Sequence, residues 1–255
     1  MHEDTAERRS EWQTEGLSNA FLEGVRGAIP GADLQFAAIG KIAGRWCAGA
    51  KSILDLGCGN GILGHLLLAR FPRAKGLFLD FSDPMLEAAR QAVGSQSNAT
   101  IAKADFASPR WREVARSHGP CDIVVSGFAI HHQPDRRKRE LYGEVFGLLA
   151  PGGVFLNLEH VASATQAGQD LFDEFFVDRL CEFHSRSGAH VNRDAIADEY
   201  YRRPDKKENI LAPLQDQCEW LRQIGFADVD CFVKVFELAL FGGRKRSEKP
   251  DPCGG

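Results

Sequence analysis

From residue 52 onward the chain alternates short apolar runs with stretches whose apolar positions recur every three or four residues. The runs are "SILDL" (52–56), "GLFLD" (76–80), "ATIAKAD" (99–105), "CDIVVSGFAI" (121–130) and "VFLNLEHV" (154–161). Their length and their bounding turn residues predict strands. The fourth is almost wholly apolar, as a strand covered on both faces is. Between them lie "GILGHLLLARF" (61–71), ended by Pro72, "SDPMLEAARQAV" (82–93) and "RRKRELYGEVFGLLA" (136–150), stopped by "PGG". These predict helices, the second capped by Ser82 or Asp83 with Pro84 in its first turn. Strands alternating with helices imply a parallel sheet wound on both faces, with right-handed crossovers. Further on, "APLQDQCEWLRQIGF" (212–226) predicts another flanking helix, and "DVDCFVKVFELALFGGRK" (228–245) two closing strands.

Two segments break this rhythm. Residues 8–46 predict helix interrupted at "AIPGAD" (28–33), and residues 164–208 are aromatic, charged and helical. The tail "GRKRSEKPDPCGG" reads as frayed.

Composition narrows the picture. The 255 residues are 44% hydrophobic and 26% charged, which suits one substantial core. A net charge of −4 gives no global pull toward nucleic acid or an anionic membrane. No apolar run approaches the roughly 20 residues that span a bilayer, and the polar N-terminus lacks the apolar core of a signal peptide. Seven scattered cysteines without a CxxC pair argue against a disulfide framework and a zinc site. The expectation is a cytoplasmic, reduced protein without a metal. The run "DRRKRE" (135–140) has no interleaved aromatics and reads as a solvated helix face rather than a nucleic-acid contact.

Candidate chemistry gathers at strand ends. In an open parallel sheet, ligands bind beyond the carboxyl ends of the strands. Asp55, Asp80, Asp105 and Ser126 all fall at or just after such ends. The stretch "ILDLGCGNG" (53–61) sets Asp55 just before a glycine turn of Gly57, Cys58, Gly59 and Gly61. "GNGILG" (59–64) fits GxGxxG, and Asp80 stands about 20 residues on, as in a dinucleotide fingerprint. A pyrophosphate, however, wants backbone N–H groups and no neighbouring carboxylate. An acid at the turn suits a cationic, phosphate-free cofactor better, and S-adenosylmethionine (SAM) is one.

With these residues in hand, "ILDLGCGNG", "GLFLDFSDPMLEAAR" (76–90), "KADFAS" (103–108), "CDIVVSGFAIHHQPD" (121–135) and "LLAPGGVFLNLEH" (148–160) resemble, in order and spacing, the motifs of class I SAM-dependent methyltransferases. The small-molecule branch is the nearest in kind, including ubiquinone/menaquinone-type methyltransferases and carboxy-SAM synthases. The resemblance implies an α/β, doubly wound, Rossmann-like fold. Its seven-stranded sheet is mostly parallel with an antiparallel closing strand, and helical lid elements cover it. It implies an N-terminal lid over residues 1–47, a methyltransferase domain over 48–255, and an insert at 164–208 roofing the acceptor pocket.

The resemblance also implies roles, each beside a plainer alternative. Gly57, Cys58 and Gly59 let the backbone approach the methionine end of SAM, or simply make the turn. Asp55 sits near the SAM amino group, or caps the following helix. Asp80 accepts from the ribose hydroxyls. Phe81 and Met85 line the adenine face, although Met85 equally suits the core. Asp105 accepts from the adenine amino group and the Phe106 N–H donates to the ring. Ser126, Gly127 and Phe128 border the transferable methyl, with Phe128 facing the sulfonium or filling the core. Arg26 in "VRGAIPGADLQF" pairs with a carboxylate. Ala32 and Asp33 follow "PG" where relatives often carry an aromatic, so no lid-tyrosine role carries over.

Catalytic candidates are His131, Glu159 and His160. His131 and His132 are adjacent, so a regular helix or strand would point only one into a pocket. Glu159 and His160 would face opposite sides of a continuing strand. The function expected is methyl transfer from SAM to a small-molecule acceptor, without nucleic-acid or membrane partners. Two alternatives stand beside it: an enzyme that remodels SAM itself, as carboxy-SAM synthases do or by an intramolecular displacement that releases methylthioadenosine, and a non-catalytic SAM-binding protein.

Overall fold

The computed structural model describes residues 29–94, 98–186 and 192–247. Helix α1 (Ala32–Trp46) leads into β1 (Ser52–Leu56), α2 (Ile62–Arg70), β2 (Lys75–Asp80), α3 (Asp83–Val93), β3 (Ala99–Lys103), α4 (Trp111–Arg116) and β4 (Cys121–Gly127). After a 3-10 turn (Ile130–His132) come α5 (Asp135–Leu148), β5 (Leu149–His160), α6 (Gln166–Arg186) and α7 (Arg193–Arg202). A second 3-10 turn (Pro204–Glu208), α8 (Leu214–Ile224), β6 (Ala227–Val235) and β7 (Leu238–Arg244) close the chain. Among the described residues no helix is long and apolar enough to cross a membrane.

The seven strands lie in the order β3-β2-β1-β4-β5-β7-β6. Neighbours from β3 through β5 run parallel, whereas β7 runs antiparallel to both β5 and β6. The order reverses beside β1, which opens a crevice at the carboxyl edge between β1 and β4.

Period-two alternation decides which face each strand residue serves. On β1, Leu54 and Leu56 join the cluster under α4, α5 and α8, while Ile53 joins the one under α1, α2 and α3. Phe78, fully buried at the second face, fixes the α2 contact. A Cβ on Gly64 would lie 2.3 Å from its ring, and one on Gly61 3.2 Å. The glycines of "GNGILG" therefore let helix and strand close on this ring.

Several boundaries depart from the sequence pattern. β3 ends at Lys103 and β4 at Gly127, two and three residues before the ends assigned to them. "PGG" lies inside β5 rather than only ending the helix. Gly152 takes φ 85, and a Cβ on Gly153 would lie 2.9 Å from the carbonyl oxygens of Ala150 and Cys121. The glycines absorb a bulge there, and pairing with β4 shifts register between Cys121 and Ile123.

The basic run at the start of α5 is not one solvated face. Arg136 and Arg139 are exposed, but Arg137 and Lys138 are buried. Arg137 donates to Glu144 Oε2 at 2.7 Å and to the Phe106 carbonyl at 2.9 Å. Lys138 donates to Asp135 Oδ1 at 2.7 Å and to the Ile210 carbonyl. Helical spacing turns these two inward, where acids and carbonyls compensate their charge.

Candidate active site at the carboxyl edge

The loop after β1 is a left-handed glycine turn, with φ 67, 53 and 79 at Gly57, Gly59 and Gly61. These angles favour glycine, and a Cβ on Gly57 would also lie 2.4 Å from the Ala129 Cβ. Cys58 is buried between them, its N–H donating to Leu79 O at 2.9 Å. Asp55 is buried too, and its Oδ2 accepts from the Gly64 N–H at 2.8 Å, inside the first turn of α2. That bond is the one a helix cap makes. It also puts a carboxylate where a dinucleotide pyrophosphate would have to sit.

Asp80 ends β2 with 6% exposure. Its Oδ2 accepts from the Gly59 N–H and its Oδ1 from the Ser82 N–H, both at 2.9 Å. Burial pushes its pKa above the ordinary value, against the pull of those donors. Phe81 is half-buried, and Met85 is buried on α3. Asp105 is exposed and accepts from Ala107 N–H at 2.8 Å. Phe106 is buried, its ring edge 3.1 Å from where a Gly57 Cβ would stand.

At the end of β4 the Ser126 hydroxyl donates to Leu56 O at 2.7 Å and is fully buried. Its side chain ties β4 to β1. A Cβ on Gly127 would lie 2.6 Å from Leu63 Cδ1. Phe128 takes φ 52, a strained angle for a bulky residue, and its N–H donates to Leu158 O at 2.7 Å. Its ring packs between the α2 side of the sheet and the α6–α7 cluster.

The three catalytic candidates converge. Glu159 Oε2 accepts from the N–H groups of Ile130 and His131, each at 3.0 Å. Its Oε1 accepts from the His160 N–H at 2.9 Å and lies 2.5 Å from His131 Nδ1. The His131 and His160 ring centroids are 5.8 Å apart. Burial pushes Glu159 up to about 7, against its backbone donor and nearby positive groups. The two adjacent histidines do not diverge: a tight 3-10 turn brings their ring centroids to 3.9 Å, tilted at 44°. Burial, with His131 adding to it, pushes His132 down to about 3. Arg26 lies outside the described residues, as does most of the expected lid.

Sequence reasoning missed the opposing turn between β6 and β7. Glu237 there lies 2.7 Å from His160 Nε2. It also missed the pins of the helical insert. Tyr200 OH donates to Asp173 Oδ1 at 2.5 Å, and Lys206 Nζ lies 3.1 Å from the same oxygen.

Residues 53–153 match the family described as "Methyltransferase domain". The carboxy-S-adenosyl-L-methionine synthase of Pseudomonas putida is 25% identical over 238 residues, covering 88% of this chain and 89% of the relative. That of Pseudoalteromonas atlantica is 26% identical over 230 residues, covering 88% of each. Among solved structures, an O-methyltransferase family protein from Burkholderia thailandensis aligns with TM-score 0.62 at 19% identity, over 92% of this chain. Human N-acetylserotonin methyltransferase in complex with SAM aligns with TM-score 0.52 at 15% identity, again over 92%. The chain spans 60% and 58% of the length of those two proteins.

Residues 53–153 are thus similar to methyltransferase domains, and 88% of the chain aligns with carboxy-SAM synthases at 25–26% identity. The methyltransferase domain match covers β1 through the bulge of β5 and so includes the glycine turn, Asp80, Asp105 and His131, while Glu159, His160 and Glu237 lie beyond it.

Proposed function

We propose that this methyltransferase passes the methyl of SAM to a small-molecule acceptor whose proton is taken by His131. The carrying observation is the buried His131–Glu159 pair, 2.5 Å apart at the carboxyl edge. SAM, when bound, supplies an electrophilic methyl on a sulfonium.

The residues fit such a cofactor. Asp80 is a buried carboxylate with acceptor capacity beyond its backbone donors, as a ribose diol needs. The glycine turn gives the methionine end access to backbone, with Asp55 adding negative charge beneath it. Phe81, Met85 and Phe106 form the adenine slot, and Asp105, on the exposed side, meets its amino group. Phe128, held at a strained angle, stands at the methyl. Ser126 and Gly127 act by shaping this edge, since the Ser126 hydroxyl is spent on Leu56.

Glu159 holds His131 through its ring nitrogen and its backbone N–H, and so sets the tautomer and the ring plane. With Nδ1 engaged, Nε2 is the ring atom that receives the proton. Alignment of nucleophile, methyl and sulfur supplies the rest of the acceleration. The 164–208 insert roofs the acceptor: Phe172, Phe176 and Tyr200 pack with Leu238 and against Phe128. We place the enzyme in the cytoplasm, which the six free cysteines among the described residues support. The burial of half the basic run supports a reading without nucleic acid.

The test is S-adenosylhomocysteine (SAH) release across an acceptor panel. His131→Asn is expected to cut kcat about 10²–10⁴-fold while SAM affinity stays within about twofold. Unchanged kcat overturns the role.

A second reading is favoured by the carboxy-SAM synthase relatives, which align along 88% of this chain. In it the methyl of SAM gives up a proton and takes up CO2 released by a carboxylic-acid co-substrate, which leaves decarboxylated, so that SAM becomes carboxy-SAM. Mass spectrometry of SAM-derived products separates the two: SAH marks methyl transfer, and a product heavier by a carboxyl group marks remodelling.

A further inference from the structure

Glu237 takes no part in the cofactor seat or in the His131–Glu159 pair. It follows Phe236, itself at φ 50, on the tight turn between β6 and β7, and is 3% exposed. Oε2 lies 2.7 Å from His160 Nε2. Oε1 is buried and has no hydrogen-bond partner among the described residues. A buried acceptor left unmatched costs about 1–3 kcal/mol, more when charged, so a fold that keeps one retains it against its own stability.

The surroundings are apolar rings. Phe172, 2% exposed, has its centroid 5.4 Å from the His160 ring and 6.4 Å from that of Phe236. Phe176 lies 5.7 Å beyond Phe172. Lys206 Nζ lies 3.1 Å from Asp173 Oδ1 and 3.7 Å from the Tyr200 ring centroid, and Arg203 Cζ lies 5.8 Å from the same ring. That clasp shows the chemistry this roof accommodates, an ammonium between a carboxylate and an aromatic face.

We propose that Glu237 Oε1 binds a protonated amine of the acceptor, so that the substrates are small molecules joining an amine to an apolar body. The proposal rests on the reading of this edge as the acceptor site. Glu237 then orients the acceptor, and His160 positions Glu237. A neutral hydroxyl would satisfy Oε1 with a weaker hydrogen bond than an ammonium gives a carboxylate. A carboxylate would be repelled.

The experiment is calorimetry with 2-phenylethylamine, 2-phenylethanol and 3-phenylpropionate, with and without saturating SAH. The amine is expected to bind at least about tenfold tighter than the alcohol, and the carboxylate not at all. In Glu237→Gln, whose amide oxygen still accepts from His160, amine affinity falls to that of the alcohol. SAH affinity is unchanged there, and Tm is equal or higher because an unmatched neutral amide costs less than an unmatched carboxylate oxygen. Equal binding of the three probes, no amine binding, or a preference that survives in the variant overturns the proposal. So does a lowered Tm with selectivity intact, which marks Glu237 as structural. Failure of SAH to bind sinks the cofactor assignment instead, and the arm without SAH still tests Glu237.

Discussion

At the scale of single residues, the carboxylates at the strand ends have separate tasks. Asp55 is buried and spends an oxygen on Gly64, Asp105 stands exposed, and Asp80 is buried at the end of β2 with backbone donors on both oxygens. The sequence placed all three at one edge because strand ends are legible from apolar runs. It left open which acid caps and which binds, because that depends on where α2 begins relative to Asp55. Burial raises the Asp80 pKa, so it gains a proton at higher pH than an ordinary aspartate. SAM affinity is therefore expected to weaken as pH falls toward that raised pKa, while the curve for Asp80→Asn stays flat. At neutral pH the variant should bind about ten- to a hundred-fold more weakly, as the loss of charged hydrogen bonds worth ~1.5–3 kcal/mol predicts. Titration calorimetry across pH measures both, and parallel curves for the two proteins would refute the assignment.

At the scale of elements, the parallel half of the sheet was readable and the antiparallel end was readable only in part. The two closing strands were visible as apolar runs. That β7 is reversed has a consequence no run displays: its first residues, not its last, reach the carboxyl edge, which carries Glu237 to His160. Similarly, "PGG" looked like a helix stop, because a bulge inside a strand and a turn use the same residues. The α2–β2 contact tests how tightly the elements are fitted. Gly64→Ala gains about 1 kcal/mol of helix propensity, but its methyl would lie 2.3 Å from the buried Phe78 ring and 3.0 Å from Asp55 Oδ2. Overpacking at about 1–3 kcal/mol exceeds that gain, so net destabilisation of up to about 2 kcal/mol is expected. Phe78→Leu in the same chain should recover part of it. Denaturant unfolding of the double-mutant cycle measures the coupling; additive effects would show that the ring is not the obstacle.

At the scale of the whole molecule, the buried cluster beneath the roof makes opposing demands on folding as pH changes. Glu159 rises from 4.5 to about 7 in the folded protein, so its contribution is complete below 4.5 and is lost as pH climbs to about 7. His132 falls from 6.5 to about 3, so its contribution is complete above 6.5 and is lost as pH drops to about 3. Between 4.5 and 6.5 the folded state holds one proton more at Glu159 and one fewer at His132 than the unfolded chain, and the two slopes cancel. Each single replacement unmasks the other slope. Glu159→Gln should lose stability on acidification through that window, by up to about 1.4 kcal/mol per pH unit. His132→Asn should lose it on alkalinisation by a similar amount. Urea unfolding at half-unit pH steps reads both directly. Slopes of the same sign in the two variants would mean that the cluster does not titrate as two opposed groups, and that the wild-type stability in this range is set elsewhere in the fold.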